Sequence, residues 1–197
     1  MRNKLGNACM ILGTVLVLAA LSLFFVNRRE AQRAESASSE VLPQVMETIR
    51  EQAQEDTALP DPYDPTMTEV EIDGYMYIGY LSIPALGLEL PVMSEWDYNR
   101  LNIAPCRYSG STKTDDLVIA AHNFAQHFGG LSGLTGGEQV IFVDMDNVVS
   151  TYTVVAVEIL APTAVEEMTN GEYDLSLYTC TYGGRSRVTV RCDRTEG

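Results

Sequence analysis

Positive charge is scarce in this chain of 197 residues: 13 Lys and Arg stand against 27 Asp and Glu, a formal net charge of −14. The pI near 4.4 belongs to a surface that repels a phosphate backbone, so nucleic acid is excluded as a partner. Histidine is scarcer still, with two residues, and there are four cysteines. No C-x-x-C pair and no H-E-x-x-H helix occurs, so the spacings that hold zinc are missing and no metal or other cofactor is expected. Without G-x-S-x-G the serine-hydrolase elbow is missing too. The pairs Gly129-Gly130, Gly136-Gly137 and Gly183-Gly184 fit no phosphate-loop or dinucleotide pattern and read as turns. With 46% hydrophobic and 20% charged residues and no internal repeat, what remains is one globular domain with a little length to spare.

The few cations are unevenly placed. Arg2, Lys4, Arg28, Arg29 and Arg33 lie within the first 33 positions beside a single acid, Glu30, whereas residues 34–197 carry eight basic and 26 acidic residues, a net −18. Between the basic clusters runs ACMILGTVLVLAALSLFFV, Ala8 to Val26, without a charge. At about 1.5 Å per residue its 19 positions span roughly 28 Å, the thickness of a bilayer's hydrocarbon core, so residues 8–27 read as a membrane segment after a short N terminus, 1–7. A cleaved secretory signal would end in a small-x-small site; this run ends in Leu23, Phe24, Phe25 and Val26, which favours an uncleaved anchor. The flanking cations nearly balance and leave the orientation open.

Residues 28–66 read as a juxtamembrane spacer and linker. Leu42, Val45, Met46 and Ile49 have helical spacing, with Pro43 best placed in a first turn, and three prolines between Pro60 and Pro65 mark an extended lead-in. From residue 67 to 197 short apolar or alternating runs follow one another: YIGYLSIP, LELPVMS, LVIAA, QVIFVD, STYTVVAVEIL, LSLYT and RVTVRC. Seven or eight strands at this spacing predict a mostly β, mostly antiparallel barrel or sandwich. Trp96–Leu101, Asn123–Leu134 and Pro162–Met168 interrupt it as short helices or loops.

Few groups are left for chemistry. Cys9 lies in the membrane segment and reads as apolar filler. Cys180 ends the alternating run Leu175, Leu177, Thr179 and is followed by Thr-Tyr-Gly-Gly, with Arg185, Arg187 and Arg191 close behind. A thiol at a strand end beside guanidinium groups is placed to react as thiolate. His122 ends the apolar run Leu117–Ala121, which reads as a buried strand delivering the imidazole. His127, among Phe124, Phe128 and Leu131, reads as a partly packed bystander. Loop carboxylates such as Asp144, Asp146, Glu166, Glu167, Glu172 and Asp174 form no diagnostic calcium pattern and read as a solvated face.

The segment YTCTYGGRSRVTVRC, 178–192, resembles the active-site signature of the sortase family, a Thr-Leu-x-Thr-Cys strand end followed after a loop by an Arg that opens the next strand. Here the strand end reads Ser176-Leu177-Tyr178-Thr179-Cys180, departing at its first position. LVIAAHNFAQHFGGLSGL, 117–134, is similar to the family's Ala-His strand end, and IGYLSIPALGLELPV, 78–92, to its first two strands. The three motifs stand in the family's order and together span residues 76–194.

The resemblance implies an eight-stranded β-barrel with short helices behind one N-terminal transmembrane helix, a cytoplasmic N terminus and an extracellular catalytic domain on a Gram-positive cell membrane. It implies a cysteine transpeptidase that cleaves an LPxTG-like sorting signal of secreted proteins through a thioacyl intermediate. The acyl group passes to an amine of a peptidoglycan precursor or of another surface protein. Residue by residue it carries over Cys180 as nucleophile, His122 as acid/base and Arg187, which directly precedes Val188-Thr189-Val190, as the arginine; Arg185 is the fallback, and Thr179 is expected to touch substrate. No second apolar segment follows Arg194, so the single-anchor type is expected and not the pilin-polymerising type; Asp61-Pro62-Tyr63-Asp64-Pro65 is only weakly reminiscent of a lid. The specificity loops are expected around 97–107 and 161–174. Outside the membrane a disulfide between Cys106 and Cys192 is permitted, which would leave Cys180 as the domain's free thiol. A thiol hydrolase and a non-catalytic peptide-binding module on the same barrel are the competing readings.

Overall fold

A single helix, α1 (Arg2–Glu55), carries both the apolar run and the polar spacer. The computed structural model describes residues 2–55 and 64–195, so most of the expected Pro-rich lead-in, including Asp61-Pro62-Tyr63, lies outside the described residues. Between Met10 and Val26 the large apolar side chains of α1 are exposed, and its most apolar window has a mean hydropathy of 2.7, long and apolar enough to cross a membrane. Helix α1 does not start at Pro43: it runs through that residue, although an interior proline costs a helix about 3 kcal/mol. Packing offsets the cost, because Ala34, Ser38, Val41, Val45 and Ile49 form a buried stripe on one face. Val45 and Ile49 of the expected stripe belong to it, whereas Leu42 and Met46 are only half-buried.

The strands that follow are β1 (Val70–Ile72), β2 (Tyr75–Ile83), β3 (Leu88–Met93), β4 (Cys106–Ser109), β5 (Leu117–Ala120), β6 (Gln139–Asp144), β7 (Val149–Leu160), β8 (Leu175–Cys180) and β9 (Arg187–Arg194). Eight of them close a barrel in the order β2-β3-β4-β5-β8-β9-β7-β6, with β6 pairing back onto β2, while β1 adds to β2 outside the ring. All pairings are antiparallel except β3–β4 and β5–β8. The barrel, and not the sandwich, is thus the fold. Closure passes through Gly79: its φ is +140°, and a Cβ there would lie 2.0 Å from the Val143 carbonyl oxygen. Only glycine lets the β2 and β6 backbones approach so closely.

Two apolar clusters lie on either side of the barrel wall. Inside, Ile78, Leu81, Ile119, Phe142, Leu177, Val190 and Cys192 are among the residues that fill the barrel. Outside, Val41, Val45 and Ile49 of α1 cover Tyr77, Met93, Cys106, Ala120, Val143 and Met145. Cys106 and Cys192 therefore face opposite sides of the wall, on β4 and β9, with β5 and β8 between them. Three strand spacings of about 4.8 Å exceed the ~7 Å that a disulfide allows between Cα atoms. Both thiols are free and buried, so the disulfide considered from compartment alone does not form.

Candidate active site

The parallel pairing of β5 with β8 runs from Leu117 opposite Leu175 to Ala120 opposite Tyr178. It continues past the strand end, where Ala121 N–H donates to the Tyr178 carbonyl at 3.2 Å. Two positions beyond the last pair stand His122 and Cys180, so the imidazole and the thiol leave neighbouring strands, ~4.8 Å apart, at one level. On the other side of β8 the antiparallel register sets Cys180 directly opposite Arg187. Across three adjacent strands the order is His122, Cys180, Arg187.

Cys180 and His122 are both half-buried. Burial holds His122 below the ordinary imidazole value, and the Glu30 carboxylate on α1 opposes that shift. Arg187 donates from Nη1 to the Gly184 and Ser186 carbonyls, 3.3 and 3.2 Å away, which folds its guanidinium over the β8–β9 turn. Arg185 is exposed in that turn. Arg191 is buried under α2 (Val165–Thr169), donating to Glu158, to Ser176 Oγ and to the Glu167 and Met168 carbonyls, so it roots the β7–β8 crossover. Of the three nearby arginines, Arg187 alone pairs with Cys180.

Thr179 lies beside Cys180 at the end of β8. Its side chain is 3% exposed and its hydroxyl donates to the Ala121 carbonyl oxygen at 2.8 Å, so it is turned inward and ties the two strand ends together. A cavity of about 170 Å³ adjoins Arg187 and is walled by Trp96, Tyr98, Tyr108, Met168 and Tyr178. Trp96 packs edge-on against Tyr98 and Tyr108, and Tyr108 against Tyr178, with ring centroids 5.0, 5.9 and 5.5 Å apart. The two loops expected to set specificity, 97–107 and 161–174, thus border one cavity. Trp96 and Tyr108, which complete its wall, fall just outside those loops and carry no local signal. Among the described residues no three His, Cys, Asp or Glu side chains gather as a cation site.

A family model for the sortase domain matches residues 81–195, more than half of the chain. The chain belongs to the sortase family. Sortase structures superpose on it across most of its length. Sortase C of Streptococcus pneumoniae, at 21% identity, covers 80% of this chain and 97% of its own, with a TM-score of 0.60. The sortase D5 transpeptidase of Clostridium perfringens, at 13% identity, covers 82% and 99%, with a TM-score of 0.62. A lid mutant of sortase A from Corynebacterium diphtheriae, at 18% identity, covers 81% and 96%, with a TM-score of 0.54. Among curated protein sequences none matches the chain. The sortase domain supports a transpeptidase-type function, and the helix that precedes this barrel is long and apolar enough to cross a membrane.

Proposed function

We propose that this protein is a membrane-anchored cysteine transpeptidase that cleaves an LPxTG-like sorting signal and passes the acyl group to an amine of the cell envelope. One observation carries the reading: Cys180 pairs with Arg187 on β9, and His122 follows the end of β5, the strand that pairs with β8 on its other side. The thiol proton moves from Cys180 Sγ to the His122 ring, and the thiolate attacks the carbonyl carbon before the last residue of the signal. The Arg187 guanidinium, permanently charged and rich in fixed donors, faces the oxyanion. The C–N bond breaks as His122 returns its proton to the departing amine, leaving a thioacyl enzyme. An envelope amine then attacks the thioester and gives its proton to His122, which hands it back to the departing Cys180 thiolate. Burial disfavours the His122 imidazolium, which helps it surrender the proton to the leaving amine. Thr179 acts by holding the two strand ends together. Residues 8–27 cross the membrane with the N terminus cytoplasmic and the barrel outside, where secreted proteins bearing the signal meet their acceptor.

The test uses the full-length chain in detergent micelles, because the second half of α1 covers an apolar face on the outside of the barrel wall. It is incubated with a panel of sorting-signal-like peptides and its intact mass is recorded with and without hydroxylamine. A peptide-fragment adduct that hydroxylamine removes, present on the wild type and absent from Cys180→Ala, is the expected result. Release of the fragment to water at the same rate with and without an amine would make the protein a thiol hydrolase. A folded protein whose Cys180 neither acylates nor alkylates would be a peptide-binding module.

A further inference from the structure

The thiol chemistry has no use for His127, yet this residue is completely enclosed where α1 meets the turn after β5. Its Nε2 lies 3.1 Å from the hydroxyl oxygen of Ser38, a residue of α1 that is itself 3% exposed. Ser38 donates its one proton to the Ile103 carbonyl oxygen at 2.5 Å. Towards His127 it is therefore an acceptor, which puts the imidazole proton on Nε2 and leaves Nδ1 bare. Among the described residues Nδ1 is buried with no hydrogen-bond partner. Burial, with His122 nearby, pulls His127 down to about 4, against a smaller pull upward from the Ala34 backbone. The ring is thus neutral in working conditions, and the bond to Ser38 has one polarity.

The same turn carries His122. The Phe124 ring lies 4.9 Å from the His122 ring and 5.9 Å from the His127 ring, between the two. The backbone closes on itself: Phe128 N–H donates to the His122 carbonyl at 3.1 Å, and His127 and Gly129 N–H to the Phe124 carbonyl at 3.0 and 2.9 Å. These bonds tie residues 122–129 into one turn, with His127 and Ser38 as a polar link to α1. The charged group that acts on His122 across this seam is Glu30 of α1.

We propose that Ser38 and His127 are positioning residues for the acid/base His122, so that α1 belongs to the working active site and is more than a tether. This rests on the reading of His122 as acid/base. If the pair loosens, the turn and its imidazole swing relative to Cys180, and a displacement near 1 Å costs proton transfer up to about 10²-fold.

The experiment compares full-length wild type in micelles with Ser38→Ala, His127→Leu and His127→Gln. The amide Nε2 of glutamine can still donate to Ser38. Peptide transpeptidation is split into kcat and KM, and His122 is titrated by NMR, where two histidines give two resolvable Cε1–H signals. The expected result is a kcat lower by about 10- to 100-fold in Ser38→Ala and His127→Leu, with KM within about twofold, a moved His122 midpoint, and substantial rescue in His127→Gln. Unchanged kcat and unchanged His122 titration in folded Ser38→Ala would overturn the proposal, even if melting temperature falls, because packing alone moves only the latter. Should His127→Leu fail to fold, Ser38→Ala, which removes one oxygen, decides by the same criteria. A wild type that forms no acyl adduct would sink the transpeptidase reading instead, separately visible because the NMR titration needs no turnover.

Discussion

The hydroxyl of Thr179 donates to the carbonyl oxygen of Ala121 at 2.8 Å, which fastens the residue before Cys180 to the residue before His122. The bond lies where β5 and β8 stop pairing as strands, so it extends the parallel register by one more link into the active site. Thr179→Val keeps the shape and removes the donor, leaving a buried carbonyl short of a partner. A loss of about 1–3 kcal/mol in unfolding free energy is expected, with kcat reduced more than peptide KM is raised. Thr179→Ser should retain both. Denaturant midpoints beside steady-state kinetics check this, and a KM effect larger than the kcat effect would mean that Thr179 touches the substrate directly.

Arg187 and Arg185 sit two residues apart and face different surroundings. Because Arg187 is paired with Cys180 across the sheet and adjoins the aromatic cavity, Arg187→Ala is expected to lower kcat/KM by about 10²–10³-fold. Lysine, a point charge without the planar fork, should recover little of it. Arg185 lies exposed in the turn, and Arg185→Ala should stay within about twofold. Rates on a single peptide for the three variants distinguish the two arginines, and equal losses would mean that the turn as a whole is what matters.

Acid should weaken the seam between α1 and the barrel. His127 titrates near 4 when folded and near 6.5 when exposed, so between those values the unfolded chain binds the extra proton. Stability is therefore full above about pH 6.5 and falls as pH drops towards 4, by at most about 3 kcal/mol. Urea midpoints recorded from pH 7 to 4 should show this slope in the wild type and a flatter one in His127→Gln. The same slope in both would place the acid sensitivity elsewhere.

Thiol counting tests the burial of the other cysteines. Burial pushes the Cys106 and Cys192 thiols up to about 12, one under α1 and the other inside the barrel. In the folded protein in micelles Cys180 is expected to be the one fast-reacting thiol of the barrel, with Cys106 and Cys192 labelled after unfolding. A reducing agent should leave the melting temperature unchanged, since neither cysteine is bonded. Two fast thiols in the barrel would mean that α1 lifts away from Cys106.

What lay in the sequence is what depends on near neighbours along the chain. The 19-residue apolar run, the alternation of β7 and β9, and the placement of Cys180 and His122 at strand ends are all periodicities or terminations over a few positions. The short strands β1 and β4 escaped, because three or four residues are too few to display an alternation. What only the tertiary structure decided are contacts between residues far apart in sequence. The Thr179–Ala121 bond joins residues 58 positions apart and Ser38–His127 residues 89 apart. The first gives Thr179 a clasp between two strand ends; the second gives an apparent bystander a buried link to the helix. Barrel closure likewise chose between barrel and sandwich and set Cys106 and Cys192 on opposite faces. Such choices are made when strands pair and faces are covered, a selection among long-range alternatives that local patterning leaves equal in energy.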